Sequence, residues 1–194
     1  MGTKAVAGAQ TRRFVSPPVR RRGRAIVLVS GPPAAGKTSI AVPVAKGLGF
    51  PLIAKDDIKE ALFETPNGEA GDVAWSHHLS QAAMAVLWRL ASRCPAAVLD
   101  ANFRPHSEDE RHHIIALGGT VIEIYCRCPS EEAARRFAAR ASSGRWHSAH
   151  ALRTVTAEML AEYDRPISMG PVIEVDTGHP VDHAALLGEV RSLL

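Results

Sequence analysis

Gly31, Gly36, Lys37 and Thr38 stand in the stretch GPPAAGKTS with the spacing of a loop that grips a phosphate chain. The two glycines let backbone N–H groups turn inward, Lys37 reaches the terminal phosphates, and the Thr38 hydroxyl suits a Mg2+ ion. Pro32, Pro33, Ala34, Ala35 and Ser39 complete the expected nucleotide-binding loop. The apolar run AIVLV precedes it and IAVPVAKGL follows. A strand therefore feeds the loop, and a helix leaves it with its positive dipole end at the phosphates.

A phosphate grip alone does not define an activity, and three other groups add chemistry. In AKDDIKEAL, Asp56 and Asp57 follow a short apolar run. A carboxylate at the carboxyl end of a strand can take the proton of an attacking hydroxyl in phosphoryl transfer. Either aspartate is a candidate base, and the alternative for each is a helix cap. Lys55 precedes the pair. Asp57 and Lys59 are candidates for contact with an acceptor, a solvated helix face being the alternative for Lys59. Asp100 ends the run AAVLD in the position of a Walker B acid that holds Mg2+ directly or through water, and Asn102 and Arg104 are expected to point into the same crevice. Arg136 and Arg140 lie four apart on one helical face, placed to neutralise charge on a transferred phosphate. Arg135, offset by one, reads as a surface charge.

Several conspicuous residues carry less. His147 and His150 read as loop residues without a role, and His77, His78, His112, His113, His179 and His183 as surface groups outside any metal-ligand pattern. Trp75 and Trp88 read as packing. Cys126 and Cys128 close an apolar run, VIEIYCRC, and with Cys94 make an odd count, so they read as structural thiols.

The elements that must position these groups follow from hydrophobic runs. Strands are expected at 25–30, 51–54, 96–100, 119–125 and 171–176. Helices are expected at 37–47, 57–64, 72–93, 107–117, 130–141, 149–163 and 181–193. Short buried runs alternating with helical segments make a parallel sheet covered on both faces. Ser107 followed by Glu108, Asp109 and Glu110 is a helix start, Asn67-Gly68 marks a turn, and SSGRWHS at 142–148, which includes Arg145, is a polar interruption of the kind that closes over a nucleotide. Seven of the 23 basic residues and none of the 20 acidic ones lie in residues 1–24. The expectation is a disordered basic tail, 1–24, on one mildly acidic domain, 25–194. Neither a membrane span nor a secretory signal is expected, which gives a cytoplasmic location.

The ordered set GPPAAGKTS, AKDDIKE, VLDANFRPHSEDER and a helix with Arg136 and Arg140 before a polar lid resembles a P-loop kinase family. That family includes polynucleotide 5′-hydroxyl kinases and small zeta-toxin-like or AAA-type ATP-binding proteins. The resemblance spans about residues 25–176. It implies a three-layer α/β P-loop NTPase, nucleoside-kinase-like, with a parallel five-stranded sheet of order 2-3-1-4-5 and a short lid. It implies ATP and Mg2+, with Asp56 as the base, Asp100 and Asn102 on the third strand, and Arg136 and Arg140 as lid arginines. The basic residue that binds an acceptor phosphate lands on Lys59 where those kinases carry Arg, and a Lys lacks the bidentate fork. With an acidic body, this favours a small-molecule hydroxyl as acceptor over a nucleic acid. A polynucleotide 5′-end, and a nucleotide-binding regulator or toxin-like protein, are the alternatives. The loop at Asp176, Thr177 and Gly178 is a positional candidate for the adenine side, and the expected assembly is a monomer or homodimer.

Overall fold

A computed structural model describes residues 23–64, 70–144 and 146–194. Most of the expected tail, residues 1–22, lies outside the described residues, as do the Asn67-Gly68 turn and Arg145.

Five strands form one parallel sheet: β1 (Ala25–Ser30), β2 (Leu52–Ala54), β3 (Ala96–Asp100), β4 (Thr120–Arg127) and β5 (Val172–Asp176). Their order is β2-β3-β1-β4-β5. Between and after them run α1 (Lys37–Leu48), α2 (Lys55–Glu64), α3 (Val73–Ala91), α4 (Glu108–Leu117), α5 (Ser130–Ala141), α6 (Ala157–Ala161) and α7 (His183–Leu193). The central strand explains the layering. Successive side chains of a strand point to opposite faces, so Val27 and Val29 pack with Ile40, Val44, Leu186 and Val190 of α1 and α7. Ile26 and Leu28 pack on the other face with Leu87 and Ala91 of α3 and Ile114 of α4. A strand covered on both faces has no use for alternation with polar residues, which is why AIVLV is apolar throughout.

Register then sets the site. Val29 lies opposite Asp100, and Ala54 of β2 lies opposite the same residue. The carboxyl ends of β1, β2 and β3 are therefore level, and the loops that leave them open onto one edge.

Beyond shifts of one or two residues at element ends, such as α2 starting at Lys55 instead of residue 57, two details differ from the sequence expectation. Arg24, counted with the basic tail, is docked: its guanidinium donates to the backbone carbonyls of Cys94 at 3.1 Å, of Ser92 at 2.7 Å, and of Leu117. It thus ties together the carboxyl ends of α3 and α4, where helix carbonyls lack partners of their own. The expected helix 149–163 shrinks to α6, with residues 146–156 irregular. Local side-chain bonds compete with helix there: Trp146 Nε1 donates to His150 O at 2.7 Å, and His147 Nδ1 accepts from Ala149 N at 3.1 Å. Thr156 then starts α6, accepting from Met159 N at 3.3 Å.

Glu123 sits in the middle of β4 with no exposed surface. Its carboxylate accepts from Ser30 Oγ and from the backbone N–H groups of Ile167 at 3.0 Å and Ser168 at 2.8 Å. It pins the 165–170 loop over the sheet. Among the described residues no helix is long and apolar enough to cross a membrane.

Candidate active site

The loop from Gly31 to Gly36 turns on unusual backbone. Gly31 has φ of 130°, and a Cβ there would meet the Cys126 carbonyl oxygen at 2.5 Å, so only glycine lets the loop pass this close to β4. Gly36, with φ of 81°, is the N-cap of α1. No side chain caps α1, and its first turn holds no acidic residue. The free N–H groups and the positive dipole end are left for an outside anion.

A cleft of about 380 Å³ opens at this point. Of the nine expected loop residues, Pro33, Ala34, Gly36, Lys37, Thr38 and Ser39 line it. Gly31, Pro32 and Ala35 lie beneath, buried, and support the loop. Lys37 Nζ donates to the carbonyls of Gly31 at 3.1 Å and Pro32 at 2.7 Å. Burial lowers its pKa, while Asp100, Cys126 and Asp56 work the other way. Thr38 Oγ1 donates to Asp100 Oδ2 at 2.7 Å. Burial raises the Asp100 pKa, Lys37 and Thr38 oppose this, and Asp56 and Asp57 add to it. A hydroxyl and a carboxylate held together, with carboxylates crowding them, are hard oxygen donors in search of positive charge. They fit Mg2+, whose remaining ligands come from phosphates and water.

Lys55 and Asp56 open α2 directly after β2, and both line the cleft with Asp57 and Lys59. Asp56 Oδ1 pairs with Lys55 Nζ at 3.3 Å. Burial works against its charge, but Lys55, His150 and Lys37 outweigh it and hold the carboxyl down at about 2. Asp57 is exposed. Its pKa is raised by burial and by the negative charges of Glu60 and Asp56. The two aspartates are thus distinct: one faces cations and the other faces anions. Lys59 is no part of a solvated helix face. Its side chain is buried, its ammonium donates to Ser76 Oγ at 2.8 Å, and burial with the Lys55 charge lowers its pKa to about 8 against the pull of Asp56 and Glu60.

The far wall comes from α5 and the loop after it. Arg136 and Arg140 both line the cleft, one helical turn apart as expected. Arg136 donates to Thr177 O at 3.0 Å and pairs with Glu132, and the 176–178 loop reaches the phosphate loop, with Thr177 Cβ 3.7 Å from the place a Gly36 Cβ would occupy. Arg140 lies over the Trp146 ring at 5.3 Å. Arg135 pairs with Glu132 at the surface.

Asn102 lines the cleft, but Arg104 does not point into it. Its Nε donates to Glu162 at 3.2 Å and its backbone N–H to Glu110 at 2.8 Å, and the side chain lines a neighbouring cavity instead. Ion pairs with two glutamates draw it away from the strand end.

His150, read from sequence as a residue without a role, is part of the cleft wall, with Ser76, Phe137 and Trp146. His150 Nε2 lies 2.8 Å from Glu60 Oε1, and Ser76 Oγ donates to Ala149 O at 2.8 Å. Burial lowers the His150 pKa against the pull of Asp56 and Glu60. The segment from Trp146 to Ala151 is a strap from α5 to α2 and α3. The remaining histidines form no metal cluster among the described residues. Trp88 packs as expected, with His113 stacked on it at 5.2 Å.

Comparison with known proteins agrees with this architecture. A chain from Chloroflexus aurantiacus, provisionally named a kinase, is similar at 27% identity and a TM-score of 0.78, over 88% of this chain and 98% of that one. Shikimate kinase from Acinetobacter baumannii, bound to shikimate, is similar at 16% identity and a TM-score of 0.55, over 89% and 93%. The APS kinase of Mycobacterium tuberculosis, bound to AMPPNP and APS, is similar at 19% identity and a TM-score of 0.54, over 89% and 97%. The last two are likenesses of fold. No curated protein matches the chain. The model of the AAA domain family, AAA_33, matches residues 26–166. On that match, and on a sheet of the P-loop kinase order beneath it, the chain belongs to the AAA domain family.

Proposed function

We propose that the protein transfers the γ-phosphate of ATP to a hydroxyl of a small-molecule acceptor. The observation that carries this reading is the meeting, in one cleft, of a phosphate loop, the Thr38–Asp100 pair, and a second carboxylate, Asp56, held ionised by Lys55. The loop and the pair suit a nucleotide switch equally well. A charged carboxylate at the carboxyl end of β2, facing the phosphate loop, belongs to transfer.

In this reading the loop N–H groups and the α1 terminus hold the β-phosphate, and Lys37 leaves the Gly31 and Pro32 carbonyls for the phosphate oxygens. Thr38 and Asp100 would hold Mg2+, which would supply charge neutralisation at the phosphates. Asp56 accepts a hydrogen bond from the acceptor hydroxyl and orients its oxygen in line with the γ-phosphorus. The new O–P bond forms as the bond to the ADP oxygen breaks, and the hydroxyl proton passes to Asp56 and then to water. Arg136 and Arg140 stand where the equatorial oxygens of the moving phosphoryl group gain charge, and the strap from Trp146 excludes water. Use of ATP fits a cytoplasmic location.

The similarity to a provisionally named kinase supports this reading, as does the kinase character of the fold neighbours. The resemblance to polynucleotide kinases and zeta-toxin-like proteins read from motif order keeps a 5′-hydroxyl end as an arm of the test. ADP release from Mg-ATP is measured with a panel of hydroxylated metabolites and with a 5′-hydroxyl oligonucleotide. At least one small hydroxylated compound should raise it, and Asp56→Asn should lower that turnover by about 100-fold or more with ATP binding kept. Stimulation by no compound, or full activity in Asp56→Asn, would sink the proposal.

A further inference from the structure

A second cavity, of about 480 Å³, lies between α3 and the loop that leaves β3, and it shares Lys55 and Asn102 with the first. Helical spacing puts His77, Gln81, Met84, Ala85 and Trp88 of α3 along one wall. A molecule seated here has one end at the mouth of the catalytic cleft, beside the Lys55–Asp56 pair.

Two observations define what it would hold. First, the charged groups of the cavity already face opposite partners. Lys55 pairs with Asp56 at 3.3 Å, Arg104 with Glu162 at 3.2 Å and Glu110 at 3.9 Å, and Asp109 lies 3.7 Å from His113. Second, Ser80 donates to Ser76 O and Ser107 accepts from Glu110 N, while three other uncharged polar side chains are left over. The side-chain amides of Gln81 and Asn102 and the His77 ring line the cavity, and none of the three hydrogen-bonds to another described residue. An amide offers a donor and an acceptor side by side, which matches a pair of neighbouring hydroxyls. Met84, Ala85 and Trp88 supply apolar surface behind them. An anionic acceptor would have to compete with carboxylates already in place for the cavity's two permanent cations, Lys55 and Arg104.

We propose that this cavity holds the phosphate acceptor, and that the acceptor is an uncharged polyhydroxylated molecule of the sugar or cyclic-polyol class. Its carbon face lies on α3, its hydroxyls meet Gln81 and Asn102, and one hydroxyl extends past Lys55 toward Asp56. The substrate class rests on the phosphotransferase reading above, whereas occupancy of the cavity does not.

Binding is measured by saturation-transfer NMR and calorimetry on the full chain loaded with Mg2+ and a β,γ-imido analogue of ATP. The probes are neutral hexoses, disaccharides and inositols, set beside their carboxylate and phosphate forms. Neutral probes should bind in preference to the anionic forms, and Gln81→Leu should raise the dissociation constant about tenfold or more, because one side-chain amide serves two hydroxyls. Gln81 is exposed, so the variant should fold, and unchanged affinity for the ATP analogue checks that it does. Binding confined to anionic probes, binding of no probe, or indifference to Gln81→Leu overturns the proposal. Binding of a polyol without phosphate transfer from ATP would leave the cavity's occupant standing and remove the transferase reading. Transfer to some other class of acceptor, insensitive to Gln81→Leu, would do the reverse.

Discussion

Asp56 and Lys59 are three residues apart on α2, and each is displaced from its ordinary protonation for the opposite reason. Asp56 loses some stability to burial but gains more from Lys55, His150 and Lys37, so it titrates at about 2. An unfolded aspartate titrates near 3.9. The folded value is the lower one, so the stability it contributes is complete above about pH 4 and is lost as the pH falls toward 2. Carbon-detected NMR of the Asp56 carboxyl should show a midpoint near 2, and a midpoint near 4 would mean that the Lys55 pair is not formed in solution. Lys59 shows the converse. Burial and Lys55 bring it down to about 8, while an unfolded lysine stays near 10.4. Between those values the unfolded chain binds more protons than the folded one, so this group makes stability rise with pH across that window. Lys59→Met should therefore be more stable than the parent at pH 7, by on the order of 2 kcal/mol less the loss of the Ser76 bond. Thermal unfolding at pH 7 and pH 10 should show the gap close at the higher pH.

At the scale of elements, the strap and the pinned loop are held by different kinds of contact and should fail differently. The segment from Trp146 to Ala151 has no regular backbone ladder and is held to α2 and α3 by His150 on Glu60 and Ala149 on Ser76. Removing one charged partner of such a bond costs roughly 1.5 to 3 kcal/mol locally. Glu60→Gln should speed amide exchange in residues 146–151 about tenfold or more and raise KM, with the melting temperature little changed. Unchanged exchange would show that the strap is held by its aromatic contacts instead, Trp146 on Phe137 at 5.1 Å and His147 edge-on to Phe63 at 5.8 Å. Glu123 is a core matter. Its carboxylate serves Ser30 and two backbone N–H groups in a fully buried place. Glu123→Ala orphans all three donors and opens a cavity, at about 3 kcal/mol or more. Glu123→Gln keeps one acceptor oxygen and should lose about 1 kcal/mol in urea unfolding.

For the whole molecule, what the sequence displayed and what it hid divide along contact distance. The strand cores AIVLV and AAVL were legible because a buried parallel strand is apolar, and VIEIY because its one charged residue, Glu123, stands among apolar neighbours; the phosphate loop, Asp56, Asp100 and Arg136 were legible as cleft residues because each follows a strand or shares a helical face. His150 meets Glu60 across 90 positions and Ser76 meets Ala149 across 73, and no periodicity encodes such a pair. Arg104 looked like a cleft residue from its place after β3, and only folding brings Glu162 within reach of it. Coupling across the molecule gives the last test. A ligand that binds only the folded chain stabilises it by about 2.7 kcal/mol at 100 times its dissociation constant. For a chain of this size, that amounts to a rise of about 5 to 10 °C in melting temperature. Mg-ATP or its imido analogue should produce that rise. Lys37→Ala should abolish most of it, and the melting temperature of the free variant is measured beside it because Lys37 also offsets the charge of Asp100 and Asp56. A rise that persists in Lys37→Ala would place the nucleotide somewhere other than the loop, and would take Thr38, Asp100 and Asp56 out of the site with it.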